Sequence, residues 1–267
     1  MQAMVDGQSV FAADYGRPSE PDGLGIVFVH GAGMDHSVWT LQARWFAWHG
    51  WNALAVDLPG HGRSAGEALA TIEAAAARLG RFLDAAGAAR AWLVGHSMGA
   101  LIALEAAAWA PERVAGLVLL GAAARMPVHA ALLAAAAHSP KLATALVASW
   151  GFGPHGHLGG NRAPGMWMLG AGLRLLERAR PGVLHADLAA CNAYEGGEAA
   201  AAAVRCPTLI LIGRDDRMTP AREGRKLAGL IRGAETVELA DCGHMPMAEQ
   251  PDAVLDALRE FASRSHA

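Results

Sequence analysis

Residues 91–108 read AWLVGHSMGALIALEAAA. A short, continuously apolar run, AWLVG, meets a breaker-free run of Ala, Leu and Ile across the pentapeptide Gly95-His96-Ser97-Met98-Gly99. The first run reads as a strand covered on both faces of a parallel sheet, because its apolar residues do not alternate with polar ones. The second consists of strong helix formers. Between them stands a G-x-S-x-G turn. A strand that meets a helix this sharply puts the middle residue in strained backbone and leaves the Ser97 hydroxyl at the C-terminal edge of the sheet, near a helix N-terminus. Ser97 is therefore a candidate nucleophile.

Outward from this elbow the same rhythm repeats. Short apolar runs at 24–30 (LGIVFVH), 52–57 (NALAVD), 114–120 (VAGLVLL), 208–213 (TLILIG) and 235–239 (ETVEL) predict further strands. Helix-periodic stretches at 37–49, 68–86, 98–110, 221–231 and 251–264 fill the gaps. Asp6-Gly7, between Val5 and the run from Ser9 to Asp14, predicts a small antiparallel hairpin ahead of them. Strand–helix alternation with right-handed crossovers gives a doubly wound, mostly parallel α/β sheet. One interval breaks the rhythm. Residues 124–204 hold no convincing strand, only helical pieces at 128–149, 165–180 and 191–204 and a Gly/His/Pro-rich loop at 151–165. This segment is expected to be a helical cap inserted into a core made of residues 1–123 and 205–267.

Composition narrows the function classes. The chain has 267 residues, 53% of them hydrophobic and 18% charged, which excludes a disordered chain. Sixty are Ala, so much of that apolar fraction favours helix and fills little core volume. The formal net charge is -3 and no long basic run occurs, so the electrostatic footprint of a nucleic-acid binder is missing. The longest apolar run, 114–124, is too short to span a bilayer. The N-terminal residues lack the basic start and apolar stretch of a secretory signal. Cys191, Cys206 and Cys242 form no C-x-x-C pair. The expectation is a cytoplasmic protein with no membrane or nucleic-acid partner and no structural zinc.

A hydroxyl at neutral pH needs a base, and the base needs an orienting partner. His244, in Asp241-Cys-Gly-His-Met-Pro246, follows the last strand and precedes the last helix, where a loop can reach back over the sheet edge. The acid is sought after a preceding strand, where Asp215 and Asp216 stand side by side in Gly213-Arg-Asp-Asp-Arg-Met-Thr-Pro220. Only one of the two can face the imidazole. His30-Gly31-Ala32-Gly33 ends the first parallel strand, and its N–H groups suit an oxyanion. His30 itself is read as shaping the pocket. Residues 57–64 (DLPGHGRS) read as Gly/Pro turn chemistry. His155 and His157 lack a third ligand, so no metal site is assigned.

HGAG, DLPGHGRS, GHSMG, GRDDRMTP and GHMP, in this order, resemble the α/β-hydrolase superfamily, in particular its small bacterial members with a helical cap. The resemblance covers the chain from about residue 5 to residue 261, apart from the cap. It implies an α/β-hydrolase fold and a Ser97–Asp216–His244 triad, with Asp216 chosen over Asp215 by the G-x-x-D pattern. It also implies an oxyanion hole made by the N–H groups of Ala32 and Met98, and no cofactor or metal. Haloalkane dehalogenases and epoxide hydrolases of this fold place Asp where Ser97 stands, and the epoxide hydrolases need cap tyrosines where this cap has only Tyr194. Hydrolases that cleave a carbon–carbon bond of ring-fission products often carry Trp after the base, where this chain has Met245. The resemblance thus implies a serine hydrolase acting on a small carboxylic ester, lactone or related acyl compound. The alternatives are a carbon–carbon hydrolase and, in another class, a non-catalytic ligand-binding protein on the same fold. Trp150 and Trp167 in the cap, with His30 and Met245, are candidate pocket residues.

Overall fold

The computed structural model describes residues 1–17, 24–157 and 167–264. β1 (Gln2–Val5) and β2 (Gln8–Ala13) form the hairpin about Asp6-Gly7, with both turn residues at positive φ. β3 (Leu24–Val29) is followed by α1 (Thr40–Ala47), β4 (Trp51–Val56), α2 (Ile72–Ala85), β5 (Ala91–His96), α3 (Met98–Trp109) and β6 (Val114–Leu120). Among the described residues, five α-helices then intervene: α4 (Ala130–His138), α5 (Pro140–Gly151), α6 (Met168–Glu177), α7 (Val183–Ala193) and α8 (Gly197–Ala203). β7 (Thr208–Gly213), α9 (Ala221–Leu230), β8 (Glu235–Leu239), α10 (Pro246–Glu249) and α11 (Pro251–Arg264) complete the described chain.

The eight strands form one sheet in the order β1-β2-β4-β3-β5-β6-β7-β8. β2 pairs antiparallel with β1 and β4, and the remaining pairs are parallel. This is the doubly wound, mostly parallel architecture expected. Successive residues of each strand enter opposite cores. Val27, Leu93, Leu119 and Ile210 pack with α2 and α3. Phe28, Val94, Val118 and Leu209 pack with α1 and α11. α3 is apolar on every side and nearly every residue from Met98 to Ala107 is buried, as a helix between the sheet and other helices must be. The chain reverses direction across the sheet at β3, which lies between β4 and β5. The loops leaving the C-terminal ends of β3 and β5 therefore border the switch point at which α/β sheets bind ligands.

Several boundaries differ from those read in the sequence. The stretch 68–86 becomes helical only at Ile72, where Thr71 caps the helix by accepting the Ala74 N–H at 3.1 Å. The piece at 128–149 is two helices, because Pro140 has no N–H to continue the first one and opens the second. The piece at 191–204 is also two. α7 begins earlier, at Val183, and the chain breaks at Tyr194, whose hydroxyl donates to Glu105 at 2.5 Å. It resumes at Gly197, where a Cβ would lie 1.8 Å from the Ala124 carbonyl oxygen. The remaining cap piece runs over Met168–Glu177. Residues 158–166, most of the Gly-rich loop and the start of that piece as read, lie outside the described residues. Among those described, no helix is long and apolar enough to cross a membrane.

Candidate active site

Ser97 joins β5 to α3 with φ 53° and ψ -117°, a conformation that L-residues other than glycine rarely adopt. Its glycine neighbours are there for space. A Cβ on Gly95 would lie 2.2 Å from the Gly99 carbonyl oxygen, and one on Gly99 would lie 2.3 Å from the Val29 carbonyl oxygen. The elbow is thus locked against its own helix and against β3.

His244 lies in the loop between β8 and α10. Its Nε2 is 2.9 Å from Ser97 Oγ and its Nδ1 is 2.8 Å from Asp216 Oδ2. Asp216 and His244 are almost wholly buried. The other Asp216 oxygen, Oδ1, accepts the N–H groups of Met218 and Thr219 at 2.8 and 2.7 Å, so the carboxylate is fixed at both ends. Of the adjacent acids, Asp216 faces the imidazole, while Asp215 is exposed and only its backbone is engaged, with N–H donated to the Cys242 carbonyl. Asp216 Oδ2 accepts from Nδ1, so that nitrogen carries the proton and Nε2 is left to accept from the Ser97 hydroxyl.

The loop that carries His244 is held by residues the sequence did not single out. The His244 N–H donates to Gly151 at the end of α5. Glu249, in α10, accepts the N–H groups of Gly243, Met245 and Gly153. Burial raises the Glu249 pKa, and these three backbone donors oppose that rise. Glu249 stands four residues after Met245, which caps α10; an acid in the first turn of a helix is the one sequence signal it offers.

The loop after β3 closes the site from the other side. A Cβ on Gly31 would lie 3.3 Å from Ser97 Cβ and 2.8 Å from His96 Nδ1, so the chain passes directly against the elbow. Met98 opens α3, and its N–H is among the first four that have no partner within a helix. Ala32, Ser97, His244, Trp150 and Met245 share the lining of one cavity of about 720 Å³, whose other walls come from Met34, from the segment between β6 and β7, and from the loop after β7 with the start of α9.

Two pocket expectations are corrected. Trp167 is 54% exposed at the start of α6, its ring folded over Gly170 of the same helix, and it does not line the cavity. His30 is fully buried beneath the site and is also absent from the lining. Its Nδ1–H donates to the Gly31 carbonyl and its Nε2 accepts the Leu58 N–H. Burial, reinforced by the charge of His61, lowers its pKa to about 4, so the ring is neutral.

The loop at 57–64 is more than turn chemistry. Asp57 accepts N–H groups from His36 and Arg63 and also contacts His36 Nδ1, while Ser64 Oγ donates to the Asp57 carbonyl and accepts the Phe11 N–H. Asp35, His36 and Asp57 cluster closely enough to hold a cation, but protein donors already occupy their carboxylates: Ser37 and Arg178 those of Asp35, His36 and Arg63 those of Asp57. Cys191, Cys206 and Cys242 are free thiols.

The chain is similar to known proteins in sequence and in fold. A model described as "Alpha/beta hydrolase family" matches residues 26–257. The chain is 30% identical over 263 residues to a pimeloyl-[acyl-carrier protein] methyl ester esterase of Methylococcus capsulatus, covering 90% of this chain and 95% of that one. It is 25% identical over 254 residues to an (E)-2-((N-methylformamido)methylene)succinate hydrolase of Acinetobacter baylyi, covering 90% of each. Among solved structures, the enol-lactonase from Burkholderia xenovorans superposes with a TM-score of 0.85 at 24% identity, over 98% of this chain and all of that one, and so shares the fold.

Proposed function

The chain belongs to the alpha/beta hydrolase family, and from that premise we propose that it is a serine hydrolase that cleaves a small carboxylic ester, lactone or related acyl compound through an acyl-enzyme. The observation that carries this reading is the relay from Ser97 Oγ to His244 Nε2 at 2.9 Å and from His244 Nδ1 to Asp216 at 2.8 Å, opening onto a cavity of about 720 Å³. A binding protein on this fold would have no need of a strained serine, an aligned imidazole and a carboxylate buried at both ends.

Ser97 Oγ attacks the substrate carbonyl while His244 Nε2 takes its proton. Asp216 holds the imidazole in the tautomer that can accept it and stabilises the imidazolium that forms. The N–H groups of Ala32 and Met98 receive the tetrahedral oxyanion, and the dipole of α3 favours charge there. His244 then returns the proton to the leaving alcohol or enol. Water, deprotonated by the same Nε2, attacks the acyl-enzyme and regenerates Ser97.

The cavity walls favour an apolar acyl or alcohol group, since Met34, Leu132, Val147, Trp150, Leu184 and Met245 contribute to them. The relatives named for a methyl ester and an enol lactone fit the same class. Acid-quenched hydrolysis of 4-nitrophenyl acetate tests it. The reading expects an acetyl group on the Ser97 peptide and release of nitrophenolate that Ser97→Ala abolishes. Turnover without acetylated Ser97 would contradict it.

A further inference from the structure

α7 turns one face inward, made of Val183, Leu184, Asp187, Leu188 and Cys191, and Asp187 is its single charge. A carboxylate in an apolar stripe is costly unless it is paired and hydrogen-bonded. Asp187 is both. Its Oδ2 accepts the Gly33 N–H at 2.7 Å and lies 2.8 Å from His61 Nε2. The side chains of His61 and Asp187 are 2% and 3% exposed. Thus a helix between β6 and β7 meets the loop after β3 and the loop after β4 at one oxygen atom.

The protons on His61 follow from its partners. Nδ1 faces the Pro59 carbonyl, which can only accept, and Nε2 faces the Asp187 carboxylate, so the ring carries both protons. Burial lowers the His61 pKa, but the hydrogen bond and charge of Asp187 outweigh it and leave the value raised. His30, its ring centroid 4.8 Å away, stays neutral because its Nε2 must accept the Leu58 N–H. Asp57 adds a further attractive charge.

We propose that Asp187 is a positioning residue for the oxyanion loop: it fixes the Ala32–Gly33 peptide through the Gly33 N–H, and the His61 imidazolium fixes Asp187. Gly33 sits at φ 68°, and a Cβ there would lie 2.9 Å from Leu184 Cδ1, so the loop is seated directly on α7. The Gly33 N–H is buried under that helix, and Asp187 is its acceptor. The peptide that carries it begins at the Ala32 Cα, the hinge it shares with the Gly31–Ala32 peptide that bears the Ala32 N–H. Freeing the first lets the second rotate away from Ser97. The loop's other ties, from the Met34 N–H and the His30 Nδ1–H to the Gly31 carbonyl at 3.2 and 2.9 Å, are longer neutral bonds. A charge-assisted bond at 2.7 Å is the stronger restraint.

The inference rests on the acyl-enzyme reading of Ser97, and the experiment separates the two. Hydrolysis of 4-nitrophenyl acetate and binding of phenylboronic acid, which forms an anionic tetrahedral adduct with a serine, are measured for the wild type, Asp187→Ala, Asp187→Asn and His61→Gln. Asp187→Ala is expected to lower kcat by about 10²-fold, the scale of one oxyanion donor, with KM within about threefold. Boronate affinity should fall with kcat. Asp187→Asn, which keeps an acceptor but loses the charge, and His61→Gln should fall in between; they carry the same test should Asp187→Ala fail to fold. Variants that melt earlier but keep wild-type kcat and boronate affinity would overturn the proposal, leaving a pair that only joins α7 to the sheet domain. A wild type with no acylated Ser97 would overturn the acyl-enzyme reading and this inference with it.

Discussion

His96 donates its Nε2 hydrogen to the carbonyl oxygen of His244 across 2.7 Å, so the residue before Ser97 is bonded to the loop that presents the imidazole. The ring is wholly buried, and its Nδ1 has no hydrogen-bond partner among the described residues. Burial, with the neighbouring His244, holds the His96 pKa well below its ordinary value. A neutral ring with its proton on Nε2 is what the bond requires.

This has a consequence for stability against acid. His96 and His30 both have lowered pKa values in the fold, that of His30 at about 4. Above about pH 6.5 neither contributes a pH dependence. As the pH falls below that, the unfolded chain takes up protons that the folded chain refuses, and stability is lost until the lowered values are reached. For His30 the loss amounts to roughly 3 kcal/mol by pH 4. His61, with its raised value, works in the opposite sense: its contribution is fully present below about 6.5 and is lost as the pH rises through its raised value. Denaturant unfolding between pH 6.5 and 4.5 should show His96→Phe losing less stability per pH unit than the wild type, by about 1.4 kcal/mol for the missing proton. Equal slopes would mean that His96 already titrates in the folded chain.

Asp216 and Asp215 are neighbours with opposite environments. Asp216 is buried against His244 Nδ1, and Asp215 is exposed. Asp216→Asn should lower kcat by about 10³- to 10⁴-fold, since an amide can present its N–H to Nδ1 and favour the wrong tautomer. Asp215→Asn should stay within a few-fold of wild type. Steady-state kinetics on a soluble ester separates them, and reversed effects would move the acid to Asp215.

Much of this arrangement is legible in the sequence, and the reasons are local. The elbow at Ser97 is readable because a two-face-buried strand, a glycine-flanked serine and an all-round apolar helix follow one another within 18 residues. The approach to Ser97 of His244 and of one acid of the Asp215-Asp216 pair is readable because each follows a strand of one parallel sheet, whose C-terminal ends share an edge; only the family resemblance selects Asp216. Asp187 is illegible by the same logic. Nothing at position 187 distinguishes a buried acid on a helix from a solvated one, and its partners His61 and Gly33 lie 126 and 154 residues away. Trp167 misleads for the converse reason. A large apolar residue suits a pocket, but at the start of α6 the ring finds Gly170 of its own helix.

Trp150 lines the cavity, its ring 5.6 Å from that of His129, whereas Trp167 does not line it. Trp150→Ala should therefore change the ratio of kcat/KM between 4-nitrophenyl acetate and longer acyl esters by roughly 10- to 100-fold, the range an apolar contact can supply. Trp167→Ala should leave that ratio within about twofold. A shifted profile in the Trp167 variant alone would return Trp167 to the pocket.

Hydrolysis by this chain depends on Ser97 as the nucleophile we propose, activated by His244 and Asp216. The direct test is reaction with a fluorophosphonate followed by peptide mass spectrometry, in the wild type, Ser97→Ala and His244→Ala. The wild type should give a single phosphonylated peptide, containing Ser97. Labelling should be slowed by several orders of magnitude in His244→Ala and be absent in Ser97→Ala, which should fold normally. A label on any other residue, or undiminished ester hydrolysis by Ser97→Ala, would contradict it.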